Sequence, residues 1–161
     1  MLVPDDPGAP IASVTGTGAL LDISSTFDML TLVDPVSEAF GRLAGLDEES
    51  VHHLGVAVRE AVVNGIKHGN DGDPGKRVRV GYGIANDGAR RRVVVRVHDE
   101  GAGFDAEHLA DPLAPENVAV TSGRGVFLMR TFMDDVQVRR LPAGGTEIVM
   151  AKAIGRTLPA R

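Results

Sequence analysis

The chain has no cysteine, which excludes a disulfide framework and any thiolate metal site and fits a reducing compartment. It also lacks an excess of positive charge. With a formal net charge of -5, its surface repels phosphates instead of releasing their counterions, so direct binding to nucleic acid is not expected. No apolar run approaches the roughly 18 residues of a membrane span. Met1 to Pro10 carries acids and prolines where a signal peptide needs a basic and then an apolar stretch. The expected location is therefore the cytoplasm, and the expected partners are proteins.

At 161 residues and 43% hydrophobic side chains, the sequence can bury one core but not two, and it reads as one domain. Residues 1–17 mix Pro, Gly and small polar side chains, and 154–161 are equally unpatterned, so both read as tails around a domain spanning 18–153. Ala19 to Ser24 reads as a strand. A helical stretch to Leu43 follows, with Leu30, Val33, Val36, Phe40 and Leu43 at helical spacing. Pro35 either kinks this helix or opens it behind Asp34 as N-cap. Asp47 caps a second helix that runs to about His68 and is stopped by Gly69. Lys76 to Ile84 and Arg91 to Val97 alternate as strands around an Asn86, Asp87, Gly88 turn. A helix over Gly125 to Phe132 and a hairpin of Val136 to Leu141 with Thr146 to Ala151 complete the order. Strand, helix, helix, two strands, helix, two strands predicts an α+β two-layer sandwich: a mixed, mostly antiparallel sheet with helices on one face.

Four elements carry candidate chemistry. In the second helix, Glu60, Asn64 and His68 are four apart and form one polar stripe, while Leu54, Val58, Ala61 and Gly65 lie on another side and can face the sheet. By itself the stripe reads first as the solvent face of an amphipathic helix. The loop His98 to Phe104 sets an acceptor-only carboxylate, Asp99, beside Gly101 and Gly103, where a flat ligand can approach backbone closely. Ser122, Gly123, Arg124 and Gly125 open a helix, whose free N–H groups and dipole suit a phosphate. Gly144, Gly145 and Thr146 begin the last strand. Singly, each reads more simply as a turn, a cap or a solvent face.

Together and in this order they resemble the Bergerat-type ATP-binding domains shared by gyrase, the heat-shock chaperone of that fold, histidine kinases and a mismatch-repair ATPase. Val58 to Asn70 looks like the family's asparagine box, Asp99 to Phe104 like its first glycine box, and Ser122 to Met129 like its second. Within the family the sequence is most similar to bacterial anti-sigma-factor serine kinases of the partner-switching type, through Arg130 to Val136 and the Gly-Gly-Thr of the last hairpin. The resemblance covers roughly residues 19 to 152. It implies Glu60 as general base, Asn64 as magnesium ligand, Asp99 as adenine acceptor, and Gly101, Gly103, Gly123 and Gly125 as positions cradling the nucleotide. Ser122 and Arg124 share the second box, and Thr146 would support Asp99 directly or through water.

The side chains suit these roles. Magnesium takes oxygen ligands and keeps waters, so one amide oxygen with phosphates satisfies it. A carboxylate one turn earlier can polarise a hydroxyl aimed at the γ-phosphate. Asp99 matches the adenine amino group but opposes the guanine carbonyl. The stretch from Asp111 to Thr121 stands where such folds carry a lid. His68 is expected to pack at the helix end.

The implied function is an ATP- and magnesium-dependent serine/threonine kinase that holds a sigma factor and phosphorylates an antagonist (anti-anti-sigma) protein. An ATP-gated binding module without phosphotransfer is the alternative, although such a module would have no need of Glu60. A histidine-kinase catalytic domain would need an upstream phosphoacceptor helix, and no histidine precedes His52. Apolar faces of the first helix support either a homodimer or ordinary core.

Overall fold

The computed structural model describes residues 16–88, 90–101 and 123–155. Residues 1–15 and 156–161 of the two tails, the expected lid stretch, Gly103 and Ser122 lie outside the described residues, while Ile154 is held by its N–H donating to the Arg91 carbonyl at 2.9 Å. Strand β1 is Gly18–Ser24, helix α1 Leu30–Ala44 and helix α2 Glu48–Asn64; strands β2 and β3 are Arg77–Asp87 and Arg90–Asp99. Helix α3 (Gly123–Phe132), β4 (Asp135–Arg140) and β5 (Thr146–Ala153) follow.

The five strands form one sheet in the order β1-β2-β3-β5-β4, with every neighbouring pair antiparallel. Because β5 enters between β3 and β4, His98 pairs with Glu147. The end of β3 thus lies beside the start of β5, which brings the first glycine box to the Gly-Gly-Thr turn.

Alternation sorts the strands into two faces. Val78, Val80 and Tyr82 of β2, Val93, Val95 and Val97 of β3, and Ile148 and Met150 of β5 are buried in one core with all three helices. The opposite face carries ion pairs, among them Asp22 with Arg77 and Arg79, and Arg96 with Glu147, around a small apolar cluster of Val94, Val149 and Ala151. This is the α+β two-layer arrangement expected. Among the described residues no helix is long and apolar enough to cross a membrane.

Helix α1 decides between the alternatives left open at Pro35, and its buried stripe drifts from the spacing read in the sequence. It begins at Leu30 and continues through Pro35, so Asp34 is not its N-cap; Asp34 instead pairs with Arg59 of α2. Proline this early removes one intrahelical hydrogen bond, and packing of the buried stripe outweighs that loss. The stripe itself runs through Leu30, Val33, Ser37, Phe40, Gly41 and Ala44, leaving Leu43 exposed at 69%. Ser37 fits this apolar stripe because its hydroxyl donates to the Val33 carbonyl at 2.9 Å and shares a 2.8 Å hydrogen bond with Tyr82.

Helix α2 starts as expected, with Asp47 accepting from the Ser50 N–H at 2.7 Å. Its end differs. After Asn64 the chain takes a π-helical turn over Gly65–Gly69, closed by the Asn70 N–H donating to the Gly65 carbonyl at 2.8 Å. A π turn advances less around the axis per residue than an α turn. The four-residue stripe therefore ends at Asn64, and His68 is exposed.

Candidate active site

Leu54, Val58, Ala61 and Gly65 are buried toward the sheet, which turns Glu60 and Asn64 to a flank of α2 where they are half-buried. Helix α3 packs along that flank at its second glycine. A Cβ added at Gly125 would lie 2.8 Å from Glu60 Oε2 and 3.7 Å from Asn64 Oδ1, so a larger residue there would push the Glu60 carboxylate aside. The asparagine box and the second glycine box are thereby joined. Arg124, one residue earlier, has an exposed side chain.

Asp99 ends β3 on the core side of the sheet and is 6% exposed. Its Oδ1 accepts from the Gly101 N–H at 2.9 Å and from the Thr146 N–H at 3.1 Å. Among the described residues no hydrogen bond reaches Oδ2. Burial pushes the Asp99 carboxyl above the ordinary carboxylate value, and the two amide donors oppose that rise.

Three glycines permit this placement. A Cβ at Gly69 would stand 2.1 Å from Asp99 Oδ2, one at Gly101 2.3 Å from the Gly69 carbonyl, and one at Gly145 2.2 Å from the Asp99 carbonyl. Gly145 also has a positive φ of 90°, a conformation that favours glycine. The π turn, the first glycine box and the last hairpin therefore meet on one carboxylate.

The histidine kinase-like ATPase domain model matches residues 23–152, a span that contains every one of these elements. The chain belongs to this family. Among curated proteins it is similar to the serine-protein kinase RsbW of Listeria innocua, 32% identical over 82% of this chain and 91% of that one. It is also similar to the serine-protein kinase RsbW of Bacillus subtilis, 31% identical over 67% of this chain and 68% of the other. Among solved structures it is similar to the RsbU and RsbW domains of Rv1364c from Mycobacterium tuberculosis, with a TM-score of 0.63 and 20% identity. That likeness covers 91% of this chain but 34% of the other, and it bears on the fold.

For an ATPase domain of this family, the residues present fit the ligands implied. Asp99 offers one oxygen fixed by amides and one without a partner among the described residues, which suits an amino group at a base edge. Asn64 Oδ1 and the Glu60 carboxylate likewise have no hydrogen bond among the described residues. These are hard oxygen donors, suited to magnesium. Among the described residues no group of three or more His, Cys, Asp or Glu side chains is arranged to hold a metal ion.

Thr146 supports Asp99 through its backbone N–H. Its hydroxyl accepts from Arg140 at 3.0 Å, so the direct support for Asp99 comes from the amide. Burial lowers the Arg140 guanidinium and the charge of Asp99 opposes that shift. Sequence reading missed Arg140, the π turn with Gly69, and Asn70. For Gly69 and Asn70 a signal existed, since both lie inside the quoted asparagine box, but its spacing gave no reason to set them apart from a helix stop.

Proposed function

We propose that the chain is an ATP-dependent protein serine/threonine kinase that acts as an anti-sigma factor, and that it phosphorylates a serine of an antagonist protein in a partner-switching module. Family membership and the relatives named serine-protein kinase support the reaction type. The observation that carries the reading is the close approach of Gly125 to the side chains of Glu60 and Asn64, because it brings a phosphate-type helix start beside a carboxylate and an amide oxygen.

In this reading residues 18–153 form the working domain, in the cytoplasm. Asp99 accepts the adenine amino group and disfavours guanine, while Gly101 and Gly103 let the base approach. Ser122, Gly123, Arg124 and Gly125 present N–H groups and positive charge to the phosphates. Magnesium, held by Asn64, would offset phosphate charge when bound. Glu60 takes the proton of the acceptor serine hydroxyl as its oxygen bonds to the γ-phosphorus and the bond to the β-phosphate oxygen breaks, releasing ADP. The sigma factor and the antagonist are the protein partners, and a homodimer is compatible with the exposed apolar residues Leu32 and Leu43 of α1.

The test is transfer of the labelled γ-phosphate from ATP to candidate antagonist domains, run beside binding of candidate sigma factors. Transfer to one serine of one domain is the expected result. Tight ATP binding and sigma-factor capture with no transfer to any cognate antagonist would replace the kinase with an ATP-gated binding module.

A further inference from the structure

Asn70 follows the π turn and is fully buried, yet no role proposed above uses it. Its side chain makes three hydrogen bonds to three separate segments. Nδ2 donates to Ser25 Oγ at 3.0 Å, just past β1, and to the Arg77 carbonyl at 2.9 Å, where β2 begins. Oδ1 accepts from the Glu100 N–H at 2.8 Å, the residue immediately after Asp99. Its own N–H closes the π turn on Gly65, so its position is set by the end of the helix that carries Asn64.

We propose that Asn70 is the positioning residue that fixes the base-reading carboxylate of Asp99 relative to the helix carrying Glu60 and Asn64; the proposal rests on the adenine reading of Asp99 given above. The two amides on Asp99 Oδ1 come from its own loop and from β5. They hydrogen-bond the carboxylate to the sheet, whereas toward α2 it meets the packing surfaces of Gly65 and Gly69 and no hydrogen bond among the described residues. Asn70 supplies that second reference, one residue beyond Asp99. Glu100 strengthens it: its Oε2 accepts from the Arg77 N–H at 3.0 Å, so both backbone groups of Arg77 are held by the pair Asn70 and Glu100. A ligand bound at one end by Asp99 and at the other by Asn64 and Gly125 senses any change in that separation, and misplacement by about 1 Å is costly to a preorganised site.

The full chain tests this with three variants and three readouts: ATP and GTP affinity with magnesium, melting temperature, and hydrogen exchange at the Glu100 amide without nucleotide. Asn70→Ala should speed exchange at Glu100, weaken ATP about tenfold or more and narrow the preference for ATP over GTP. Ser25→Ala removes a different bond of the same side chain, so it should lower the melting temperature and leave ATP affinity within about twofold of native. Asn70→Asp keeps an acceptor for Glu100 while losing both donors, and should restore ATP affinity to within about threefold of native without restoring stability. If Asn70→Ala does not fold, the contrast between Asn70→Asp and Ser25→Ala carries the test. Native affinity and base preference in Asn70→Ala would overturn the proposal, as would Asn70→Asp or Ser25→Ala losing affinity in step with stability. Failure of the adenine reading is separate: it would show in the native chain, as equal affinity for ATP and GTP.

Discussion

Asp99 lies across the face of Gly69 so closely that a single methyl group on Gly69 would overlap its Oδ2, at 2.1 Å. Neither residue has room to yield, because the carboxylate is held by two amides and the glycine belongs to the π turn.

Gly69→Ala should therefore cost about 1–3 kcal/mol of stability through overpacking, and weaken ATP by displacing the carboxylate. Gly55→Ala is the matched control. Its added Cβ would meet Glu38 Cγ at an ordinary 3.7 Å, and removing a mid-helix glycine should stabilise by roughly 0.5–1 kcal/mol. Chemical denaturation and calorimetry with ATP distinguish the two; an alanine tolerated equally at both positions would refute the close packing.

Asp99→Asn should weaken ATP by about tenfold to a hundredfold, since one charge-assisted hydrogen bond is lost. Stability moves the other way. Because burial raises the folded carboxyl above its unfolded value, its favourable contribution is complete below the ordinary carboxylate range and is lost as pH rises through the folded value. At neutral pH the variant should thus melt no lower than native, and its relative advantage should shrink on acidification. ATP affinity of the native chain, corrected for titration of the nucleotide, should fall with acid at a pH above 3.8, a dependence the variant lacks. A variant that melts lower at neutral pH would show the carboxylate to be structural.

Glu60→Gln should bind Mg-ATP within about threefold of native and lose roughly 10² to 10⁴ in phosphotransfer, the usual worth of a general base. Asn64→Ala should do the reverse in one respect, removing the magnesium dependence of nucleotide binding while leaving the melt nearly unchanged. Equal transfer rates for native and Glu60→Gln would exclude Glu60 as the base. A large loss of stability in Asn64→Ala with normal Mg-ATP binding would assign Asn64 to the fold.

Tyr82 tests the core. Burial pushes its hydroxyl up to about 12, against an ordinary 10.0, so the stability it contributes is intact below about pH 10 and declines as pH rises from there toward 12. Tyr82→Phe should flatten that decline and cost about 1 kcal/mol at neutral pH for the bond to Ser37. A cycle with Ser37→Ala should be non-additive, because both changes remove the same hydrogen bond. An unchanged alkaline slope in Tyr82→Phe would place the titration elsewhere.

Much of the site was legible because its pieces are local. Glu60 and Asn64 share a helix flank through four-residue spacing, and the glycines announce turns at fixed offsets from Asp99 and Arg124. What escaped the sequence depends on contacts between distant segments. Asn70 reaches Ser25 and Glu100, and no local pattern marks such a residue. The π turn is invisible for a related reason: its apolar residues follow helical spacing as far as Gly65, and the path beyond answers to Asp99 rather than to propensity. Leu43 shares the helical spacing of the stripe yet is exposed, because spacings of three and four both fit a helix stripe and packing chose Ala44.

At Thr146 the donor to Asp99 is a peptide N–H, a group supplied by every amino acid except proline. The carboxylate's orientation at this point is therefore insulated from mutational drift: relatives can exchange the side chain there without losing the bond, provided the strand keeps its path. A library built to change base preference has correspondingly little leverage at residue 146, short of proline, and must vary Asp99 itself or the surfaces that face the ring.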